Sequence, residues 1–211
     1  MSKSFVEKVD MLVKIYNIVA KLKEMPRAGW HLWHIQRETL ESVADHIFGV
    51  CILAILIDSE FEVDADINRV LKMLVLHELD ELFIGDITPY DGVKNRSEIK
   101  KHGEDRATNL LADLVKAEEY IKLVKEYNRG ETKEAKFAKQ CDKLEATLQA
   151  KLYDSDTNIF SPQNQSMLKA EHLKEISKNP QAQLSDTFFA YYEFQNSFEG
   201  LFKQIIDEIN K

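Results

Sequence analysis

Glycine and proline are scarce, seven and four in 211 residues. Sheet-rich chains need more turn punctuation than that, so the composition excludes a many-turned β architecture and favours long helices with few breaks. Positive charge is not in excess: 28 Lys and Arg face 36 Asp and Glu, for a net charge of −8. Proteins that grip duplex nucleic acid carry a basic footprint, which is absent here. A phosphate-bearing ligand must then be held by local cations or a metal. No run approaches the ~20 apolar residues that a membrane span requires. The stretch MSKSFVEKVDMLVKIYNIVAKLK is charged throughout, without the apolar core and cleavage site of a signal peptide. Cysteine is nearly absent; Cys51 and Cys141 sit inside apolar helical patterns and read as small buried hydrophobes in a reducing compartment. The expectation is a cytoplasmic protein that partners neither membrane nor duplex nucleic acid.

What is present is helical periodicity and charge. With 44% hydrophobic residues the chain can bury one substantial core. Phe5, Val9, Leu12, Ile15, Val19 and Leu22 recur at three- and four-residue steps, predicting a helix over about 4–24 with its stripe toward a core. Residues 25–41 (MPRAGWHLWHIQRETLE) read as a loop rich in Arg, Trp and His. A helix over about 42–58 follows, with Ser42 as N-cap and Asp45 closing a capping box. A third helix is expected over about 66–83, stopping at Gly85, then a loop (GDITPYDGVKN). Further helices are expected over about 96–116, 117–128, 132–154, 166–178 and 184–209, with a surface loop at 155–165. There is no internal repeat.

Chemistry concentrates on the third helix. Val70, Leu74, His77 and Glu81 lie at steps of four, three and four, so two apolar residues, a histidine and a carboxylate point one way, with Glu78 bordering them. His46 sits between Val43 and Val50 on the inward face of the preceding helix. An inward carboxylate costs several kcal/mol unless paired or coordinated. Spacing alone leaves two readings open, hydrogen-bonded core histidines or ligands of a cation. The order His77-Glu78-Leu79-Asp80-Glu81 differs from the H-E-x-x-H zinc-protease helix, because Glu81 stands where the second histidine belongs. By periodicity Asp142 lies at the edge of a stripe formed by Phe137, Cys141, Leu144, Leu148 and Leu152, the position of a solvated aspartate.

Three stretches in order, PRAGWHLWHIQRETLESVADH, LHELDELFIGDITP and EAKFAKQCDKLEATLQA, resemble the HD-domain hydrolases of the 5′-deoxynucleotidase branch. The resemblance covers about 5–155 and rests on an Arg-x-Gly-Trp loop, a Ser-Val-x-Asp-His helix start, a His-carboxylate pair, Gly-Asp-Ile, and Lys-Gln-x-Asp. It implies an all-α HD-type helical bundle, one domain over 1–211 with a C-terminal helical extension over about 166–211. His46, His77, Glu78 and Asp142 would be ligands of one divalent ion. Two imidazoles and two carboxylates suit Mn, Co, Fe, Zn or Mg. One position departs from the pattern: Glu78 stands where the family has the aspartate of its name. By the same resemblance Glu81 is the acid/base or water-positioning carboxylate and Asp86 contacts the sugar or steadies the site. Arg27 and Trp30 would grip phosphate and nucleoside, and Arg37 is a second phosphate candidate through its bidentate fork. His31, Trp33 and His34 border the same loop without an assigned role.

The expected activity is hydrolysis of (deoxy)nucleoside 5′-monophosphates to nucleoside and phosphate. The rival readings are a non-catalytic nucleotide-binding or scaffold protein, and a hydrolase of another phosphate ester such as a nucleoside triphosphate. Cyclic-dinucleotide cleavage lacks its Gly-Tyr-Pro companion motif. The family's habit of forming homodimers implies a dimer here. The aromatics Phe188, Tyr191, Tyr192, Phe194, Phe198 and Phe202 read as core or dimer packing in preference to base stacking.

Overall fold

The structure, a computed structural model, describes residues 3–88 and 94–210. The described chain is all helical, with ten α-helices, several 3₁₀ turns and no strand, as the scarcity of glycine and proline leads one to expect. Part of the expected 85–95 loop, residues 89–93, lies outside the described residues.

Helix α1 (Phe5–Val19) starts at Ser4, whose hydroxyl and Glu7 form a capping box. Only the end of its apolar stripe meets a core, at half-buried Val19; the first turns do not, contrary to the periodicity. Phe5 is 80% exposed and Leu12 65%, and the chain becomes buried only at Leu22 in the 3₁₀ turn Ala20–Lys23. Amphipathicity says that a stripe wants cover, not where the cover comes from.

Residues 25–41 are more ordered than a loop. Arg27 N–H donates to the Glu41 carbonyl and Val43 N–H to that of Met25, so the two ends are pinned together. Between them lies a short helix, α2 (Ala28–Leu32). Helix α3 (Val43–Phe61) begins with the expected Ser42–Asp45 capping box, worth ~1 kcal/mol, and buries Val43, His46, Val50, Ala54 and Ile57.

The expected continuous helix over 66–83 is interrupted. Helix α4 (Ile67–Leu76) ends at His77, and α5 (Glu81–Ile84) restarts after a tightened turn. His77 Nδ1 donates to the Leu74 carbonyl at 2.6 Å, while Leu79 and Glu81 N–H reach carbonyls three residues back. A side chain has taken a backbone acceptor, and the chain responds with 3₁₀ geometry. Gly85 ends α5 at φ +77°, a conformation that favours glycine.

Helices α6 (Arg96–Leu111), α7 (Ala117–Arg129) and α8 (Lys133–Leu152) follow near their expected positions. Helices α3, α4, α7 and α8 pack around one core that includes Val50, Leu74, Leu123, Phe137 and Leu144. Each such side chain contributes ~1.5–3 kcal/mol on burial. Beyond α8 the sequence expectations fail in three places. The 155–165 segment is not a surface loop, since Ile159 and Asn164 are buried. The expected helix over 166–178 is a string of 3₁₀ turns, broken where Ala170 turns extended. These turns drive Met167, Leu168 and Leu173 onto Trp30, Trp33 and Tyr153, so packing onto the tryptophan segment overrides helix propensity. The last expected helix splits into α9 (Leu184–Phe194) and α10 (Gly200–Ile209), with Asn196 left-handed between them and Gly200 left-handed at the start of α10.

Candidate metal centre and cavity

Three elements bring to one point four side chains that could hold a metal ion. His46 comes from the first turn of α3, His77 and Glu78 from the break after α4, and Asp142 from the middle of α8. His46 Nε2 lies 3.0 Å from Asp142 Oδ1 and 3.6 Å from Glu78 Oε1. His77 Nε2 lies 3.5 Å from Glu78 Oε1 and 3.9 Å from Asp142 Oδ1. The four ligand atoms lie within 4.8 Å of one another. On an uninterrupted helix His77 and Glu78 would diverge by about 100°; the tightened turn and the longer glutamate stem bring both in.

Proton placement tests whether a cation fits. The Leu74 carbonyl can only accept, so His77 Nδ1 donates to it and Nε2 is the ring atom left to meet a cation. That buried Nε2 has no hydrogen-bond partner, yet it faces two carboxylate oxygens. His46 Nδ1 likewise donates to Glu145 Oε2 at 2.6 Å, leaving Nε2 directed at Asp142. Lone pairs aimed at carboxylates repel unless something positive stands between them. In the metal-free protein a proton does so at His46. Burial and the charge of Arg27 oppose it, but hydrogen bonds to Asp142 and Glu145 raise the imidazole to about 10. Burial likewise opposes the charge of Asp142, yet the His46 hydrogen bond and both imidazoles hold its carboxyl far below the usual range. Ligand atoms 3.0–3.9 Å apart match the separations produced by bonds of ~2.0–2.2 Å to one ion. The residues fit a divalent cation.

Glu145, one turn after Asp142, is a residue that sequence reasoning missed. It is buried and fixes the His46 ring. A Cβ on Gly49 would stand 2.5 Å from Glu145 Oε1, so the glycine makes room for this carboxylate. Gly49→Ala should therefore push Glu145 off His46 and weaken divalent-metal affinity roughly 10–100-fold, read by calorimetry. Unchanged affinity would show that the Glu145 contact does not matter to the site. Glu41 lies beside this pair, and burial together with the Glu145 charge pushes its carboxyl up to about 7.

The other expected site residues divide. Arg27 caps the start of α2 and places Nη1 3.0 Å from Glu78 Oε1 and Nε 3.8 Å from Asp86 Oδ2. Asp86 also accepts from Ala28 N–H at 2.7 Å, tying this segment to the end of α5. Glu81 is buried with Oε2 unpartnered, and burial, then Glu78 and Asp86, raise its carboxyl well above the usual value. Trp30 is 2% exposed. Its ring stacks on Phe188 at 5.1 Å, meets Tyr153 edge-on, and donates to Glu41. Arg37 is not brought to the centre: it pairs with Asp156 and lies over Tyr153. His34 bonds Asn164, His31 is exposed, and Trp33 is buried at the cavity edge.

A cavity of about 460 Å³ opens beside these four side chains. Its wall includes two further residues missed from sequence, Lys139 and Lys143. They flank Asp142 on α8, and burial lowers both ammonium groups. Lys139 stands 4.8 Å from the Tyr127 ring centroid. The spacing Lys139, Asp142, Lys143 and Ala146 was a signal, since all four share one helix face.

A helical bundle in which a His-carboxylate cluster borders a cavity defines a class of domain able to hold a cation next to a small ligand. The HD domain family matches residues 19–184, and the chain belongs to that family. It is 33% identical over 150 residues to the 5′-deoxynucleotidase HDDC2 of Xenopus laevis, covering 68% of this chain and 69% of that protein. It is 34% identical over 154 residues to the 5′-deoxynucleotidase hdd1 of Schizosaccharomyces pombe, covering 70% and 74%. The crystal structure of the PH0347 protein from Pyrococcus horikoshii superimposes with a TM-score of 0.56 at 26% identity, covering 79% of this chain and 92% of that one. The family resemblance and all-α bundle drawn from the sequence are thereby borne out, and the expected phosphohydrolase activity agrees with the relatives' names. Among the described residues no helix is long and apolar enough to cross a membrane.

Proposed function

We propose that the protein is a metal-dependent phosphohydrolase releasing phosphate from deoxynucleoside 5′-monophosphates. The observation that carries this reading is the pair of imidazole Nε2 atoms facing two carboxylates, a set that needs a cation, beside a cavity edged by two half-buried lysines. His46, His77, Glu78 and Asp142 would hold one divalent ion; Mn, Co, Fe, Zn and Mg are all compatible with the donors. Such an ion, when bound, acidifies a water and offsets charge on a phosphoryl oxygen.

The chain's own groups do the rest. Lys139 and Lys143 take the phosphate, the role expected of Arg37, since neither makes an ion pair with a described carboxylate. Arg27 contributes field and holds Glu78. Glu81 keeps a proton in its buried setting and offers it to the departing sugar oxygen. Asp86 steadies the Arg27 segment. Phosphoryl transfer asks mainly for positioning and charge stabilisation, which this arrangement supplies.

Purified protein incubated with deoxynucleoside 5′-monophosphates and each divalent metal should release phosphate with at least one of them. No release with any metal ends the reading.

We further propose one cytoplasmic domain over 1–211, assembled as a homodimer. Free thiols at Cys51 and Cys141 suit a reducing compartment. Two exposed apolar stripes support self-association: Phe5, Leu12 and Tyr16 on α1, and Phe48, Ile52, Ile55 and Leu56 on α3. Light scattering should give a mass near twice 24.4 kDa, and Phe48→Glu should shift it toward the monomer. A monomeric wild type removes the dimer.

A further inference from the structure

The family match ends at residue 184, and α9 begins there. Yet α9 reaches the cavity of the metal centre. Phe188, Tyr191, Tyr192 and Gln195 all line it, at spacings of three, one and three that place them on a single face of the helix. The chemistry of the two sides differs. The Glu78–Asp86 segment and α8 line the cavity with carboxylates and ammonium groups, whereas α9 lines it with three aromatic rings and, at its C-cap Gln195, an amide.

Ring contacts preset that wall. Tyr191 packs against His172 at 5.1 Å and Tyr192 at 5.3 Å, and Tyr192 against Phe198 at 5.8 Å. Phe188 is committed to Trp30. Trp30, expected from the resemblance to grip the nucleoside, is 2% exposed and engaged by Phe188, Tyr153 and Glu41. Gln195 is exposed, and its side-chain amide makes no hydrogen bond to a described residue. A flat aromatic surface with a donor-acceptor amide beside it suits a planar heterocycle with a hydrogen-bonding edge.

We propose that α9 is the nucleoside-recognition wall of the cavity, with Tyr191 and Tyr192 against the base and Gln195 at its edge. This rests on the phosphohydrolase reading for the other end of the ligand. Selectivity among phosphate esters then comes from a segment outside the matched family region.

The test compares kcat/KM for a deoxynucleoside 5′-monophosphate with that for 2-deoxyribose 5-phosphate, which keeps the sugar and phosphate and lacks the base. Tyr191→Ala should lower the ratio on the order of 10-fold, as the loss of one base–aromatic stack implies, with the change in KM and not in kcat. Tyr191→Phe should restore it. Gln195→Ala, at an exposed position, should lower the ratio for some bases more than others. Phe194→Ala, on the same helix but 62% exposed, should leave the ratio unchanged. Calorimetric binding of the unphosphorylated deoxynucleoside, weakened by Tyr191→Ala, provides a readout independent of hydrolysis.

Equal loss on both esters, an unchanged ratio, or a Phe194→Ala effect as large as that of Tyr191→Ala would overturn the wall while leaving the hydrolase. Nucleoside binding that needs Tyr191, without phosphate release under any metal, would overturn the hydrolase while leaving the wall.

Discussion

Asp142→Asn should strip the protein of its divalent ion and abolish phosphate release with it. The substitution keeps the shape and removes the charge. Asp142 Oδ1 stands 3.0 Å from His46 Nε2 and 3.9 Å from His77 Nε2, while Oδ2 accepts from the Tyr127 hydroxyl at 2.9 Å. Without its charge the two Nε2 lone pairs keep only Glu78 as an anionic partner in the set. The loss of affinity should exceed the roughly 10–100-fold that an outer partner such as Glu145 is worth. Metal content after dialysis and calorimetric titration check this; an Asp142→Asn protein that keeps its ion at wild-type affinity would remove residue 142 from the ligand set. A pH dependence accompanies it. In the metal-free protein the His46 imidazole is raised to about 10, so it is protonated at neutral pH, and a ligand nitrogen must be bare. Metal uptake therefore releases a proton, and affinity climbs as pH rises through neutrality toward that value. Titrations in buffers of different ionisation enthalpy count that proton.

Glu81→Gln should lower kcat by ~10²–10⁴, the usual worth of a proton carrier, while the metal stays bound. Glu81 is buried, lines the cavity, and has an Oε2 with no partner inside the protein. Glutamine preserves volume and polarity but cannot pass a proton. Loss of metal together with rate would assign Glu81 a ligand's role, and an unchanged rate would take it out of the chemistry.

Much of the frame was legible because its causes are local. The Ser42–Asp45 capping box sets the start of α3 within one turn of sequence, and through it the inward aim of His46. The stripe Val70, Leu74, His77 and Glu81 is buried throughout, although the helix beneath it breaks. That break was not legible, because it depends on one imidazole taking the Leu74 carbonyl. Periodicity also gave no warning that the first turns of the α1 stripe would stay exposed, or that residues 162–178 would form 3₁₀ turns. Both outcomes depend on which distant surface is on offer.

The candidate site divides in the same way. The Arg-Gly-Trp loop, the paired His and carboxylate, and Lys-Gln-x-Asp were enough to nominate His46, His77, Glu78, Asp142, Glu81, Asp86 and Arg27, all of which lie at or beside one cavity. Arg37 looked equivalent to Arg27 in type and setting, yet it faces Asp156. Lys139, Lys143 and Glu145 carry no role assigned from the sequence. They matter because α8 is flanked by α3, α4 and α9, which turns part of its polar face into a cavity wall.

The sequence by itself determined the helical class, the caps, the inward histidines and the family, since each follows from contacts within a turn or from short ordered motifs. The tertiary structure decided which charges share a low-dielectric space, which imidazole nitrogen is left bare, and that a helix beyond residue 184 closes the cavity. The physical reason is distance along the chain: a charge costs little in water and several kcal/mol when buried, and only long-range packing decides which condition a given side chain meets.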